Sequence, residues 1–321
     1  MFTRADLQRQ LLERGVGVMT FAETDALLAH AEQSGQLLRS RDGERYTTEA
    51  ARQREAEILA MELQGRERMY PIHPGGLFDL SEHMNGLTDE QQQAMRALLL
   101  SHHQMQGIQG RAGVGKTTLL TSATAAAQAL GFQMEGLAPS ASAARELAST
   151  GMPSQTIAAF LAREHKGLTP STVLVLDEAG MTSSRQMHQV LQAVTEAGCR
   201  LVLVGDTAQL TAVEAGKPFA QLQANGMATA LVGHIQRQRD PVLKEAVELA
   251  VSGQVSQAVQ LLDKQIEQIV APAERYARMA EDYVALPLAE REQTRVIAGT
   301  RRARSEINQA IRSRLGLSSG L

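Results

Sequence analysis

One stretch limits what this chain can fold into more than any other: Met105 to Leu120, reading MQGIQGRAGVGKTTLL. Gly110, Gly115, Lys116 and Thr117 satisfy G-x-x-x-x-G-K-[ST], with an apolar run before the loop and a helix-forming run after it. That is the strand–loop–helix setting of a phosphate-binding loop. Glycines let backbone N–H groups close around phosphates, and the following helix adds the partial positive charge of its N-terminus. The expected nucleotide-binding set is therefore Gly110, Gly113, Val114, Gly115, Lys116, Thr117 and Thr118. Lys116 is expected on the β- and γ-phosphate oxygens and the Thr117 hydroxyl on Mg2+. A Gly-rich turn with no ligand is the alternative, and Lys-Thr at this spacing disfavours it.

Beyond the loop, apolar runs near Glu135–Ala138, Val173–Leu176 and Leu201–Val204 alternate with helical stretches. This is the pattern of a parallel α/β sheet, whose ligands lie at the carboxyl ends of strands. The Val173 run ends in Asp177-Glu178, placing one carboxylate to hold Mg2+ through water opposite Thr117 and the next to polarise an attacking water. The Leu201 run ends in Gly205-Asp206-Thr207-Ala208-Gln209, where Gln209 can touch a γ-phosphate. Taken alone, that last signal is weak, since Gly-Asp after a strand is a common turn. Upstream, in LTDEQQQAMRALL, Thr88 and Gln91 form a capping box, and the Gln91 amide is also able to pair with both edges of adenine.

Residues 1–65 read as a small module of helix, helix, hairpin and helix, an order that is winged-helix-like. Thr3 with Asp6 and Thr20 with Glu23 look like helix N-cap pairs. QLLRSRDGERYTT supplies a hairpin expected to turn on Asp42-Gly43, and a helix is expected from Thr48 to Gln64. Arg39, Arg41 and Arg45 near the hairpin permit duplex contact, but a protein–protein docking module with a solvated hairpin is at least as good a reading, since these cations are few. Residues 66–86 break the pattern with Pro and Gly and read as a linker, its His73 and His83 as surface residues. Only one cysteine is present; Cys199, beside LVLV, is expected to be a buried thiol. With 32 Lys+Arg against 35 Asp+Glu, any nucleic-acid-binding surface has to be local. One candidate is residues 291–314, expected as the strand RVIAG and a helix, with seven Arg against two Glu. No apolar run of secretion-signal or membrane-spanning type occurs, so a soluble cytoplasmic protein without membrane insertion is expected.

GRAGVGKTT, LAPSASAA (Leu137–Ala144), SQTIAAFL (Ser154–Leu161), LDEAGM, VGDTAQL and IQRQ (Ile235–Gln238) occur in that order. The set resembles motifs I, Ia, Ib, II, III and IV of RecD-like superfamily 1 DNA helicases. It is most similar to the helicase portion of MobF-class conjugative relaxase–helicases, a likeness that GERYTTEA and RVIAGTRRARSEINQAIR extend over nearly the whole chain.

The resemblance implies ATP and Mg2+ as cofactors and single-stranded DNA as partner, with 5′ to 3′ movement at ATP's expense. It implies that Gln209 couples the γ-phosphate to DNA-binding segments. Arg237 would reach from a second RecA-like lobe to stabilise transition-state charge, and Pro139, Ser140 and Thr156 would lie along the single strand. The expected fold is α/β: a winged-helix-like module (1–65), a linker (66–86), a RecA-like P-loop NTPase lobe (87–230) and the start of a second (231–321). The family's downstream motifs and its DNA-nicking domain are not found, so the chain is expected to be part of a larger polypeptide. The expected function is the motor segment of a conjugative plasmid-transfer helicase. The alternative is a motor-inactive, ATP-binding docking or secretion-recognition module for the type IV transfer machinery. A P-loop kinase is a third reading, disfavoured by the Gly205–Leu210 and Ile235–Gln238 motifs.

Overall fold

The computed structural model describes residues 2–40, 43–73, 80–111, 113–208, 216–233 and 240–317. Two compact units result, Met1–Gln238 and Arg239–Leu321.

The first unit starts with β1 (Phe2–Thr3), α1 (Arg4–Arg14), α2 (Phe21–Gln33), β2 (Leu37–Arg39), β3 (Arg45–Thr48) and α3 (Glu49–Gln64). Both expected capping boxes form: Thr3 with Asp6, and Thr20 with Glu23. Thr48 caps α3 by accepting from the Ala51 amide. These caps satisfy N–H groups that the first helical turn leaves without partners. β1, β3 and β2 make an antiparallel sheet in that order. Ser40 N–H donates to the Arg45 carbonyl at 2.8 Å, and the Ser40 hydroxyl takes both polar backbone groups of Arg45. Arg41 and Asp42, with the expected turn, lie outside the described residues. Ile58 on α3 is buried in the same core as Leu174, Leu176, Leu201 and Leu203, so the module's last helix seals one face of the larger sheet.

The stretch after α3 is packed rather than loose. Met69 N–H donates to the His102 carbonyl and His73 N–H to the Leu99 carbonyl, each at 2.9 Å. Arg200, only 2% exposed, donates to the carbonyls of Ser101 and His103 at 3.3 Å and to that of Tyr70. His73 is accordingly buried, not a surface residue, because its backbone is hydrogen-bonded beneath the 99–103 turn; His83 is half-buried.

There follow α4 (Ser81–Met84), α5 (Asp89–Leu99), β4 (Met105–Gly110), α6 (Lys116–Ala129), β5 (Gln133–Ala138), α7 (Ala141–Ala148), β6 (Ser154–Thr156) and α8 (Ile157–Ala162). After them come β7 (Thr172–Leu176), α9 (Ser184–Ala197), β8 (Arg200–Gly205), α10 (Pro218–Ala224) and β9 (Thr229–Val232). The strands form one parallel sheet ordered β6-β5-β7-β8-β4-β9. Every residue of β7 and β8 is buried, which a parallel sheet needs because helices cover both faces. Alternation assigns the faces. Leu174, Leu176, Leu201 and Leu203 meet Met187, Val190, Leu191 and Val194 of α9 and Phe219 and Leu222 of α10. Cys199 lies in this core, and burial pushes its thiol up to about 12, so it holds no thiolate at neutral pH.

The second unit contains α11 (Pro241–Val251), α12 (Val255–Leu261), α13 (Pro272–Ala285), α14 (Leu288–Gln293) and α15 (Arg301–Arg314). α11 packs on α12, and α13 on α15, through buried Ala246, Ala258, Ala280, Ala303 and Ile307. The expected strand RVIAG does not form; Ile297 is 85% exposed. A strand needs a partner edge for its N–H and C=O groups, and no other strand lies among the described residues of this unit. No described helix is long and apolar enough to cross a membrane.

Candidate nucleotide-binding site

Three strands deliver the candidate side chains to one edge of the sheet. β4 ends at Gly110 and opens into the phosphate loop, β7 ends at Asp177-Glu178, and β8, lying between them, ends at Gly205-Asp206.

In the loop, Gly113 and Gly115 adopt φ of 83° and 79°, a left-handed conformation that suits glycine, and Gly115 caps α6. Val114 is fully buried, so it anchors the loop instead of facing a ligand. Lys116 Nζ donates to the Gly110 carbonyl at 2.9 Å, which folds the ammonium across the loop's mouth. Thr117 and Thr118 are exposed on the first turn of α6.

Gln91 sits directly behind. It is 1% exposed, and its Nε2 donates to the Val114 carbonyl at 3.0 Å and the Gly115 carbonyl at 3.2 Å, while Oε1 accepts from Thr88 N–H. In a trans peptide the carbonyl and the next N–H point in opposite directions. By drawing these two carbonyls to one side, Gln91 turns the N–H groups of Gly115 and Lys116 to the other, where an anion would sit. An amide so committed reaches adenine only by giving up loop bonds.

Asp177 Oδ1 accepts from Glu178 N–H at 2.9 Å, leaving Oδ2 directed elsewhere. Burial raises the Asp177 pKa, and the Glu178 N–H and the Lys116 charge oppose the shift. Glu178 is raised by burial and then by the Asp177 charge, with Lys116 again pulling it back. Glu178 also has φ 52° and ψ 40°, a left-handed backbone unusual outside glycine that costs about 1–3 kcal/mol. Strain of this kind fixes the direction of a side chain the surroundings hold in place.

The β7 and β8 loops approach through bare backbone. A Cβ on Gly180 would meet the Asp206 carbonyl oxygen at 2.8 Å, and one on Gly205 would lie 3.1 Å from the amides of Ala179 and Gly180. Asp206 is itself held from β4: Gln109 Nε2 donates to Asp206 Oδ1 at 2.9 Å, and Gln109 Oε1 accepts from Thr207 N–H and Gln223 Nε2, each at 3.2 Å. Sequence reasoning missed Gln109. The available signal was a polar side chain just before the first loop glycine, at the end of β4.

Pro139, Ser140 and Thr156 lie at the ends of adjacent strands, where Ala138 registers with Thr156. Ser140 and Thr156 cap α7 and α8, accepting from the amides of Ala143 and Ala159. Gln209 and Arg237 lie outside the described residues.

The residues fit a magnesium-bound nucleoside triphosphate: a lysine at a loop whose amides face one way, an exposed threonine hydroxyl, and a carboxylate with an oxygen to spare. Thr117 and Asp177 would hold the metal, which supplies charge neutralisation to the phosphates.

The AAA domain family model matches residues 86–270. The probable conjugal transfer protein TraA of Sinorhizobium fredii is 37% identical over 177 residues, covering 54% of this chain and 16% of the relative. The multifunctional conjugation protein TraI of Escherichia coli K12 is 33% identical over 229 residues, covering 67% and 13%. The ATP-dependent RecD2 DNA helicase of Deinococcus radiodurans is 32% identical over 171 residues, covering 50% and 23%. The chain thus spans less than a quarter of the length of these relatives.

Proposed function

The chain belongs to the AAA domain family, and from that premise we propose that it is the ATP-hydrolysing motor segment of a conjugative, RecD-like DNA helicase that moves 5′ to 3′ on single-stranded DNA. One arrangement carries the reading: a phosphate loop braced by Gln91, with Lys116 at its mouth, and Asp177-Glu178 at a strand end of the same sheet edge.

Lys116 binds the β- and γ-phosphates, and the amides of Gly115 and Lys116 bind phosphate oxygens. Glu178 takes a proton from the attacking water, its raised pKa making it a better acceptor than an ordinary surface glutamate. Asp206 and Gln109 link the phosphate loop to the loop leading to Gln209. The roles of Gln209 as γ-phosphate sensor and of Arg237 in stabilising transition-state charge rest on the motif resemblance. So do single-stranded DNA contact at Pro139, Ser140 and Thr156, and the division at residues 65, 86 and 230. A role in conjugal transfer is supported by the names of the relatives, and association with a type IV transfer machinery rests on the motif resemblance.

The test is ATP turnover with and without a single-stranded oligonucleotide, beside Lys116→Ala. Turnover that the oligonucleotide stimulates and Lys116→Ala abolishes supports the motor. ATP binding with no DNA-stimulated turnover overturns it and favours a docking role. A strand-displacement assay on 5′- and 3′-tailed duplexes tests direction; preference for the 3′ tail refutes the stated polarity.

A further inference from the structure

We propose that Gln91 braces the phosphate loop and reads no base, so that the candidate site takes nucleoside triphosphates by their phosphates, whatever base they carry. This rests on the nucleotide-hydrolysing part of the reading above. The chemistry of the amide decides between the two roles. A glutamine that reads adenine accepts from the N6 amino group and donates to N7. Its NH2 has two protons to give, and its oxygen has two lone pairs. Here both protons are spent, on the Val114 carbonyl at 3.0 Å and the Gly115 carbonyl at 3.2 Å. One lone pair accepts from Thr88 N–H at 3.0 Å. The other has no open side to work from, because the residue is 1% exposed.

Swinging the side chain toward a base would take this amide from two loop carbonyls and from the Thr88 N–H, a loss at least as large as the base pair gained. The turn that carries Gln91 is tied on both sides. Glu90 accepts from Gly233 N–H at 2.8 Å, and Gln92 Nε2 donates to the Leu87 carbonyl at 3.1 Å. Behind them, Ala94, Met95, Leu98 and Leu99 are buried along α5, which packs on α6. The loop's carbonyls are engaged inward in the same way, that of Gly110 by Lys116 Nζ at 2.9 Å. With the Val114 and Gly115 carbonyls drawn back, the N–H groups of Gly115 and Lys116 stand ready for an anion before any ligand arrives. The bonds of Gln91 therefore go into phosphate affinity, which ATP, GTP, CTP and UTP share.

The experiment measures binding of magnesium ATP, GTP, CTP, UTP and inorganic tripolyphosphate to the full chain, by displacement of a fluorescent ATP analogue, for wild type and Gln91→Glu. Glutamate keeps the acceptor for Thr88 N–H, since it suits the same capping box, but turns an oxygen toward the two loop carbonyls in place of the donors. A bidentate adenine reader would favour ATP over the other triphosphates by about 5- to 150-fold. The expected wild-type affinities for the four triphosphates lie within about fivefold of one another. Gln91→Glu lowers all of them, and that for tripolyphosphate, by a common factor of about ten. A merely structural role would lower the melting temperature, followed by circular dichroism, and leave the affinities of the folded variant unchanged. A larger preference for ATP in the wild type overturns the proposal. So does a Gln91→Glu variant that loses ATP affinity while keeping that for GTP and tripolyphosphate, or one whose affinities are all unchanged. If the variant does not fold, the wild-type comparison decides alone. Base-tolerant binding without oligonucleotide-stimulated turnover supports the brace and refutes the motor. Stimulated turnover of ATP with GTP unbound supports the motor and overturns the brace. A wild type that binds no triphosphate refutes both.

Discussion

Gly180→Ala tests whether the β7 and β8 loops act as one piece. Added methyl carbon at this position lands 2.8 Å from the Asp206 carbonyl oxygen, closer than real Cβ contacts come. Both partners are backbone, so no side chain can swing away. Either the loop after β7 or the loop after β8 must move by several tenths of an ångström. Overpacking of this kind costs about 1–3 kcal/mol. For a unit of this size each kcal/mol lowers Tm by about 2–4 °C, giving a fall of about 2–12 °C. Glu178 lies two residues before the clash on a strained backbone and moves with it. A displacement approaching 1 Å at a reacting group costs about 100-fold, so turnover should fall about 10- to 100-fold. Nucleotide binding, which depends on the phosphate loop, should change little. The assays are differential scanning fluorimetry, binding of a fluorescent ATP analogue and single-turnover hydrolysis. Gly233→Ala is the control, because its added carbon would lie 4.0 Å from Glu90, an ordinary contact. If Gly180→Ala keeps its Tm within about 1 °C of wild type and hydrolyses ATP at the wild-type rate, the claimed approach of the two loops is refuted.

Glu178→Gln should bind ATP, fail to turn it over, and be more stable than wild type at neutral pH. Folding raises the Glu178 pKa, so the folded state holds the proton to higher pH than the unfolded chain. The stability this proton confers is complete below the ordinary carboxylate range and is lost as pH rises through the elevated folded value. Removing the charge should flatten that decline, and urea midpoints that fall as steeply with pH in the variant as in the wild type would contradict the assignment. Gln109→Ala strips partners from Asp206, Thr207 and Gln223 and should cost about 1–3 kcal/mol in urea unfolding, and a loss below about 0.5 kcal/mol would show that the bridge contributes nothing beyond an ordinary surface change. Cys199 should resist an uncharged thiol reagent in the native protein and react on unfolding, since its thiol is buried and its pKa raised to about 12. Rapid native labelling would contradict that placement.

Short-range information made the phosphate loop and the strand-end carboxylates legible. The loop is a local strand–turn–helix whose glycines and lysine are set by spacing, and fully buried parallel strands announce themselves as apolar runs ending where ligands bind. Helix caps were legible for the same reason, because Thr3 with Asp6 and Thr20 with Glu23 interact across three residues. What the sequence could not show depends on packing between distant segments. Gln91 reaches carbonyls more than twenty positions away, and Gln109 meets Asp206 across 97. His73 looked like a linker residue until its backbone proved to be paired with Leu99, and Arg200 is buried on carbonyls that no periodicity could reveal. Ile297 carries the opposite lesson: RVIAG has the composition of a strand but stands 85% exposed at its isoleucine, because strand propensity without a partner edge makes no ladder. The sequence by itself determined where the glycine-rich loop and the strand-end carboxylates lie and which strands carry them, since those are matters of local geometry. Only the tertiary structure decided which amide turns the loop's N–H groups outward and which glycine lets the loops after β7 and β8 touch, since those are matters of which atoms are left next to each other once the chain has closed.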